Sequence, residues 1–381
     1  MRCPRCLNTD PKYFYKGSRG WYCRRCISFG RAMIEEDRRA AEPSAVTSGS
    51  EEFLMRYPLT PLQKTVSRKC SELIDHTDVL LYCVCGAGKT ELVVESISKM
   101  LKQGKKVCFA IPRRQVVLEL QTRLAEYFPR AVTVAVCGGH TRKTDGDLII
   151  CTTHQLYRYG LGAFDLLILD EPDAFPFRGN PVLHGIAETA CRGHRIFLTA
   201  TPDRHLLSRV EKKEMVCLKL FRRPHGYDLP EPKLVIAPMP VLLIWLLLWL
   251  REKKTPRMVF VPTIREAALL HGFLSLFMKC FVCTSKTENR DRVIEAFRKQ
   301  KAGVIVATTV LERGVTIPGA DICVFHADHG VFDEASLVQM AGRAGRSFQA
   351  PEGRVLFLET KKGRPADQCR KTIREANACT A

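Results

Sequence analysis

An α/β chain with two parallel sheets, preceded by a small four-cysteine zinc module, is the fold class this sequence predicts. Three observations predict it. Apolar strand-like runs alternate with helical stretches through most of the chain, the pattern of parallel sheets covered by helices. A segment at 219–240 carries Pro224, Pro230, Pro232, Pro238 and Pro240 and divides that alternation in two. Two CxxC pairs stand within the first 26 residues. These place a zinc-binding module and linker at 1–45, a first domain at 46–222, a linker at 223–240 and a second domain at 241–381.

Cys3-x2-Cys6 and Cys23-x2-Cys26 are separated by sixteen residues. Matched knuckles at this spacing close a four-thiolate Zn²⁺ site better than they form a redox pair. A module this short has little core, so the metal would supply much of its folding energy. Between the pairs lie Lys12, Tyr13, Phe14, Tyr15, Lys16, Arg19, Trp21 and Tyr22. Such interleaving suits stacking on unpaired bases. The alternative is that these rings only cover the metal. Residues 32–50 read as a short helix running into a polar linker.

The first domain turns on Cys85-Gly86-Ala87-Gly88-Lys89-Thr90, between the apolar run Val79–Val84 and a helical stretch from Glu91. Strand, glycine turn and helix is the context of a phosphate-binding loop. Backbone N–H groups cradle phosphate, Lys89 reaches the β- and γ-phosphates of ATP, and Thr90 holds Mg²⁺. Cys83 stands where the usual pattern has its first glycine. Ahead of the loop, Leu59-Thr60-Pro61-Leu62-Gln63 opens a helix, and the Gln63 amide could read an adenine edge.

Strands follow at 106–112, 131–136, 147–152 and 166–169. The last ends in Asp170-Glu171-Pro172-Asp173, where paired acids suit nucleotide chemistry: Asp170 for the metal, Glu171 for the attacking water. A helix N-cap is the plainer reading, and the phosphate loop upstream outweighs it. The strand 195–202 ends in Thr199 and Thr201, hydroxyls able to sense the γ-phosphate.

The second domain repeats strand and helix without a phosphate loop and ends in Gln339-Met340-Ala341-Gly342-Arg343-Ala344-Gly345-Arg346. Two arginines three apart on a helix share a face, and guanidinium forks suit the γ-phosphate. The alternative is a basic nucleic-acid patch. The apolar run Val241–Leu250 is about half a bilayer span and reads as a buried helix.

The formal charge of +19 points to a polyanion, with nucleic acid first and an anionic membrane surface second. Seventeen cysteines, an odd number scattered through apolar strands, exclude a disulfide framework and suggest a reducing cytosol. The first residues lack the apolar core of a signal peptide. The expectation is a soluble cytoplasmic protein.

These motifs, from about residue 55 to 360, resemble a superfamily 2 helicase core of two RecA-like domains. With the four-cysteine module, Cys85–Glu91, Asp170–Phe177, Thr308–Val315 and the run ending at Arg346, the chain resembles the late competence protein ComFA family. The resemblance implies an ATP-driven motor on single-stranded DNA that helps bring in transforming DNA. It also implies work with other competence proteins and the uptake channel, at the inner face of the membrane. Carried over residue by residue, Gln63 and Cys85–Thr90 bind ATP, and Lys89, Thr90, Asp170, Glu171, Gln339, Arg343 and Arg346 are catalytic, the two arginines as fingers. Thr199 and Thr201 couple, and Arg113, Thr153, Thr263 and Thr309 line the DNA track. Glu171-Pro172-Asp173 departs from the RNA-helicase signature. The rivals are a replication-restart helicase that opens duplexes, an ATP-switched DNA clamp, and a zinc-module adaptor with a degenerate ATPase core.

Overall fold

The computed structural model describes residues 1–34, 53–252, 255–300, 302–312, 315 and 317–379. The helix expected over 32–50 lies outside them from residue 35 on, as do Arg313 and Gly314. Ala32–Met33 is instead a short strand. The chain divides into two compact units, Met1–Cys83 with Gly88–Leu220 and Val84–Ala87 with Phe221–Ala381.

The first unit begins with an antiparallel sheet of β1 (Phe14–Gly17), β2 (Gly20–Cys23) and β3 (Ala32–Met33). This module does not stand alone. Trp21, Phe29 and Ile34 pack on the core of the unit, and Thr189 donates its hydroxyl proton to Arg5 O at 3.0 Å. At Gly185 a Cβ would fall 2.1 Å from Cys6 O, so only glycine lets the knuckle sit this close.

The large sheet of the unit takes β4 (Asp78–Cys83), β5 (Val107–Ile111), β6 (Thr133–Val136), β7 (Leu148–Thr152), β8 (Phe164–Asp170), β9 (Cys191–Thr199) and β10 (Met215–Leu220). All are parallel, in the order β10-β4-β9-β8-β5-β7-β6. Its helices are α1 (Pro61–Leu73), α2 (Lys89–Leu92), α3 (Val94–Lys102), α4 (Arg114–Tyr127), α5 (Pro181–Ala190) and α6 (Arg204–Glu211). Strands β5 and β7 are buried at every residue, as parallel strands covered on both faces must be. Buried Asp78, at the amino end of β4, receives the Arg195 backbone N–H at 2.9 Å and the Arg209 guanidinium at 2.7 Å.

The second unit carries β11 (Pro232–Ile236), β12 (Pro256–Phe260), β13 (Cys280–Cys283), β14 (Gly303–Ala307), β15 (Asp321–Phe325) and β16 (Val355–Glu359). They form a parallel sheet in the order β11-β16-β15-β12-β14-β13. Helices α7 (Met239–Glu252), α8 (Ile264–Ser275), α9 (Arg290–Arg298), α10 (Glu334–Ala341) and α11 (Arg364–Ala378) complete it.

Two expectations are corrected here. The expected linker 223–240 contains β11, an edge strand whose first residue is Pro232, a position where the missing N–H costs no ladder bond. The run 241–250 is helical but only half buried. Leu242, Leu246, Trp249 and Leu250 face the sheet, whereas Val241, Ile244, Trp245 and Leu248 are exposed, because a helix lying on a sheet offers it a single stripe.

Candidate nucleotide and metal sites

The four N-terminal cysteines meet. Their sulfurs all lie within 4.8 Å of one another, and all four residues are buried. Thiolates at zinc–sulfur distances of about 2.3 Å in a tetrahedron stand about 3.8 Å apart. The Cys3–Cys26 and Cys6–Cys23 sulfur separations are both 3.8 Å. The cluster fits zinc.

In the phosphate-loop sequence, Gly86 and Gly88 have φ of 86° and 78°, left-handed values that glycine adopts without strain. Gly88 then opens α2 at Lys89. The Thr90 hydroxyl receives an N–H from Arg123 at 3.3 Å, and the same guanidinium pairs with Glu91 at 3.2 Å. Gln63 is buried, and its Oε1 accepts the Thr60 backbone N–H at 2.9 Å while its own N–H donates to Thr60 Oγ1 at 3.3 Å. This capping box fixes the start of α1 and orients the Gln63 amide.

Asp170 closes β8, and Glu171 follows at φ 50°, a left-handed conformation that costs a non-glycine residue energy and tends to persist where function holds it. Its N–H is held by Leu198 O at 2.8 Å. Buried Asp173 binds the hydroxyls of both Thr199 and Thr201. Thr199 Oγ1 donates to its Oδ1 at 2.5 Å and Thr201 Oγ1 to its Oδ2 at 2.7 Å. Since β4, β9 and β8 are neighbours, the strands leading to Lys89, Thr199 and Asp170 end side by side.

In the second unit, Arg343 and Arg346 follow α10 rather than lying on it, because Gly342 ends the helix and Gly345 turns at φ 60°. The Arg343 guanidinium is buried and donates to Glu312 O at 2.8 Å and Val315 O at 2.7 Å. Arg346 is half-buried, and among the described residues its side chain makes no hydrogen bond or ion pair. Gln339 is buried, and its Oε1 accepts from Cys85 Sγ at 3.2 Å, Cys85 belonging to this unit.

Of the residues expected to touch DNA, Arg113 caps α4 after β5, and Thr153 begins a short turn after β7. Thr263 caps α8 after β12, and Thr309 begins a turn after β14. Within each unit the two strands are neighbours, so each pair shares a stretch of the carboxyl edge of its sheet. The Thr263 hydroxyl already accepts the Glu266 N–H at 3.1 Å.

Two family descriptions cover most of the chain: Helicase conserved C-terminal domain over residues 240–348, and Type III restriction enzyme, res subunit, over residues 56–204. The chain is 34% identical over 379 residues to the competence protein ComFA of Streptococcus pneumoniae (strain ATCC BAA-255 / R6), which covers 93% of this chain and 85% of that protein. The chain belongs to the ComFA family. It is likewise 32% identical over 406 residues to the ComFA of Bacillus subtilis (strain 168), covering 100% of this chain and 86% of that one. In fold, this ComFA-family chain matches S. cerevisiae Dbp5 bound to RNA and ADP BeF3, with a TM-score of 0.62 at 17% identity over 84% of this chain and 91% of that one. Membership and the helicase domains together make it an ATP-hydrolysing, helicase-type enzyme.

Three residues of this ComFA-family chain escaped sequence reasoning. Asp173 was visible as the last acid of its motif, but its two threonine partners lie 26 and 28 residues on. Arg123 and Arg223 carry no local signal, for each is defined only by what it binds in the fold.

Proposed function

We propose that this protein is a single-stranded-DNA-stimulated ATPase that translocates along its strand and drives uptake of transforming DNA in natural competence. The observation that carries the reading is the alignment of Lys89, Asp170–Glu171 and Thr199–Thr201 at the ends of three adjacent strands, in a chain of the ComFA family. Lys89 would bind the β- and γ-phosphates, with Cys85–Gly88 supplying backbone N–H groups and Gln63 the adenine contact. Thr90 and Asp170 would hold Mg²⁺, whose charge would steady the phosphates. Glu171 would orient the attacking water. Thr199 and Thr201, clamped on Asp173, would pass nucleotide state to the DNA-facing residues Arg113, Thr153, Thr263 and Thr309. Arg346, with Arg343 and Gln339, would complete the charge stabilisation at the γ-phosphate. Zn²⁺ on Cys3, Cys6, Cys23 and Cys26 would hold the N-terminal module folded.

No helix among the described residues is long and apolar enough to cross a membrane. The protein would work on the cytoplasmic side, at the inner face of the membrane, with other competence proteins and the uptake channel. Phosphate contacts would dominate its grip, so DNA affinity would fall steeply with salt and show little base preference.

The test is steady-state ATP hydrolysis with no nucleic acid, single-stranded DNA, duplex DNA or RNA. Strong stimulation by single strands, abolished by Lys89→Ala, is expected. Stimulation mainly by duplex or RNA would overturn the substrate assignment. DNA transport that survives Glu171→Gln would replace the motor with an ATP-switched clamp.

A further inference from the structure

Arg223 lies just beyond β10, where the chain enters the second unit, and is 2% exposed. Among the described residues, every hydrogen bond of its guanidinium ends on a backbone carbonyl. Nη1 donates to Ala344 O and Gly345 O, both at 2.8 Å, Nη2 to Gly342 O at 2.9 Å, and Nε to Cys85 O at 2.9 Å, all within this unit. Two residues on, a His225 ring nitrogen lies 3.1 Å from Gly345 O. Burial, with a smaller contribution from Arg346, lowers the Arg223 pKa to about 10, and the group remains charged at neutral pH.

A helix end leaves carbonyls without intrahelical partners, and a cation near them is favourable. At the end of α10 the Val338, Met340 and Ala341 carbonyls accept from the Gly342, Arg343 and Ala344 N–H groups, and Arg223, from a distant segment, takes the carbonyls of the turn that follows. The turn cannot readily take another form. Gly345 has φ 60°, and a Cβ there would meet Pro351 O at 2.3 Å. Arg346 follows directly, its side chain without a hydrogen bond or ion pair among the described residues. One arginine is wholly engaged in shaping the turn, and the other, half-buried beside Gly86, stays outside those bonds.

We propose that Arg223 is a positioning residue for the reaction: its fork of carbonyl contacts sets the Gly342–Gly345 turn so that Arg346 is presented to the γ-phosphate. This rests on the reading of Arg346 as a finger. Arg223 also ties the segment after β10 to the same turn and to the Cys85 carbonyl, so segment and turn move together.

The experiment compares Arg223→Lys, Arg346→Ala, the double variant and His225→Ala in the full chain, by kcat and KM for ATP with single-stranded DNA. Removing a finger costs kcat about a thousandfold, and a finger displaced by an ångström costs about a hundredfold. Arg346→Ala is therefore expected to lower kcat about a thousandfold, and Arg223→Lys about a hundredfold with KM within about threefold of wild type. The double variant should be no worse than Arg346→Ala alone, since both changes act through one group. His225→Ala, which removes one contact, should lower kcat by less and leave KM unchanged. It keeps the test alive should Arg223→Lys fail to fold. If Arg346→Ala retains kcat, the finger reading falls and this proposal with it. If Arg346→Ala loses kcat while Arg223→Lys and His225→Ala keep it, or the losses simply add, only the positioning role is overturned.

Discussion

The two sheets are anchored alike at their amino ends and differ at their carboxyl ends. In the first unit, Asp78 at the start of β4 is held by Arg195 and Arg209. In the second, Asp321 at the start of β15 is held by Arg354 at 3.0 Å and by buried Arg257 at 3.4 Å. A buried carboxylate needs such partners, and these keep strand ends in place. The carboxyl ends diverge. In the first unit side chains bond to side chains, Asp173 to Thr199 and Thr201, and Arg123 to Thr90 and Glu91. In the second, Arg343 and Arg223 bond to backbone carbonyls. A hydroxyl network can change partners when a phosphate arrives or leaves, whereas a carbonyl-anchored loop keeps its shape. The first arrangement suits sensing and the second suits presenting a fixed charge.

The largest expected effect concerns stability. Leu246→Ala, on the sheet-facing stripe of α7, should cost the second unit about 2–5 kcal/mol, while Leu248→Ala on the exposed stripe should change it by no more than about 0.5 kcal/mol. Urea unfolding followed by the fluorescence of Trp245 and Trp249 would show it, and equal losses would contradict the half-buried helix.

Next is the hydroxyl network on Asp173. Asp173→Asn removes the charge and turns one of the two acceptor oxygens into an NH2 donor, losing a charge-assisted hydroxyl bond worth about 1.5–3 kcal/mol. The first unit should lose stability, and DNA-stimulated hydrolysis should fall more than basal hydrolysis. Equal falls in both rates would make Asp173 a purely structural group.

The smallest effect is a pH dependence confined to the second unit. Glu359, at the carboxyl end of β16, is buried, and that burial raises its carboxyl from 4.5 to about 7. The folded state therefore holds a proton that the unfolded chain releases, and its contribution to stability is lost as pH rises from about 4.5 to about 7. Glu359→Gln should raise the Tm at pH 8 and change it little at pH 4.5. An unchanged Tm at pH 8 would show that the carboxyl ionises freely in the fold.

What the sequence revealed was local. The CxxC pairs, the glycines before Lys89 and the acids after β8 each sit within a few residues, so spacing alone exposes their chemistry. Gln63, Thr199, Thr201 and Arg346 were read from short runs in the same way, and the family resemblance added the roles expected of Arg113, Thr153, Thr263 and Thr309. Hidden were features whose partners are remote in the chain: the Asp173 clamp, the Arg223 fork, and edge strand β11 inside a proline-rich stretch. The outer face of α7 was hidden too, because apolar residues all round a helix do not say which stripe meets the sheet.

The pairing of β4 also bears on how the protein is made. Val79 pairs with Ile196 on one side and Val216 on the other. The strand that leads into the nucleotide loop therefore has no neighbour until the ribosome has delivered β9 and β10. Closing such long loops is slow, and parallel pairing lacks a hairpin to hasten it. The N-terminal module differs, since its Phe14–Cys23 pairing closes within a dozen residues or so. During synthesis the zinc knuckles can form early, but their seat on α5 appears more than 150 residues later. Strand β4 is thus among the last parts of the first unit to be paired on both sides, and a chain cut short before β10 would carry the Cys85–Thr90 run without a finished sheet beneath it.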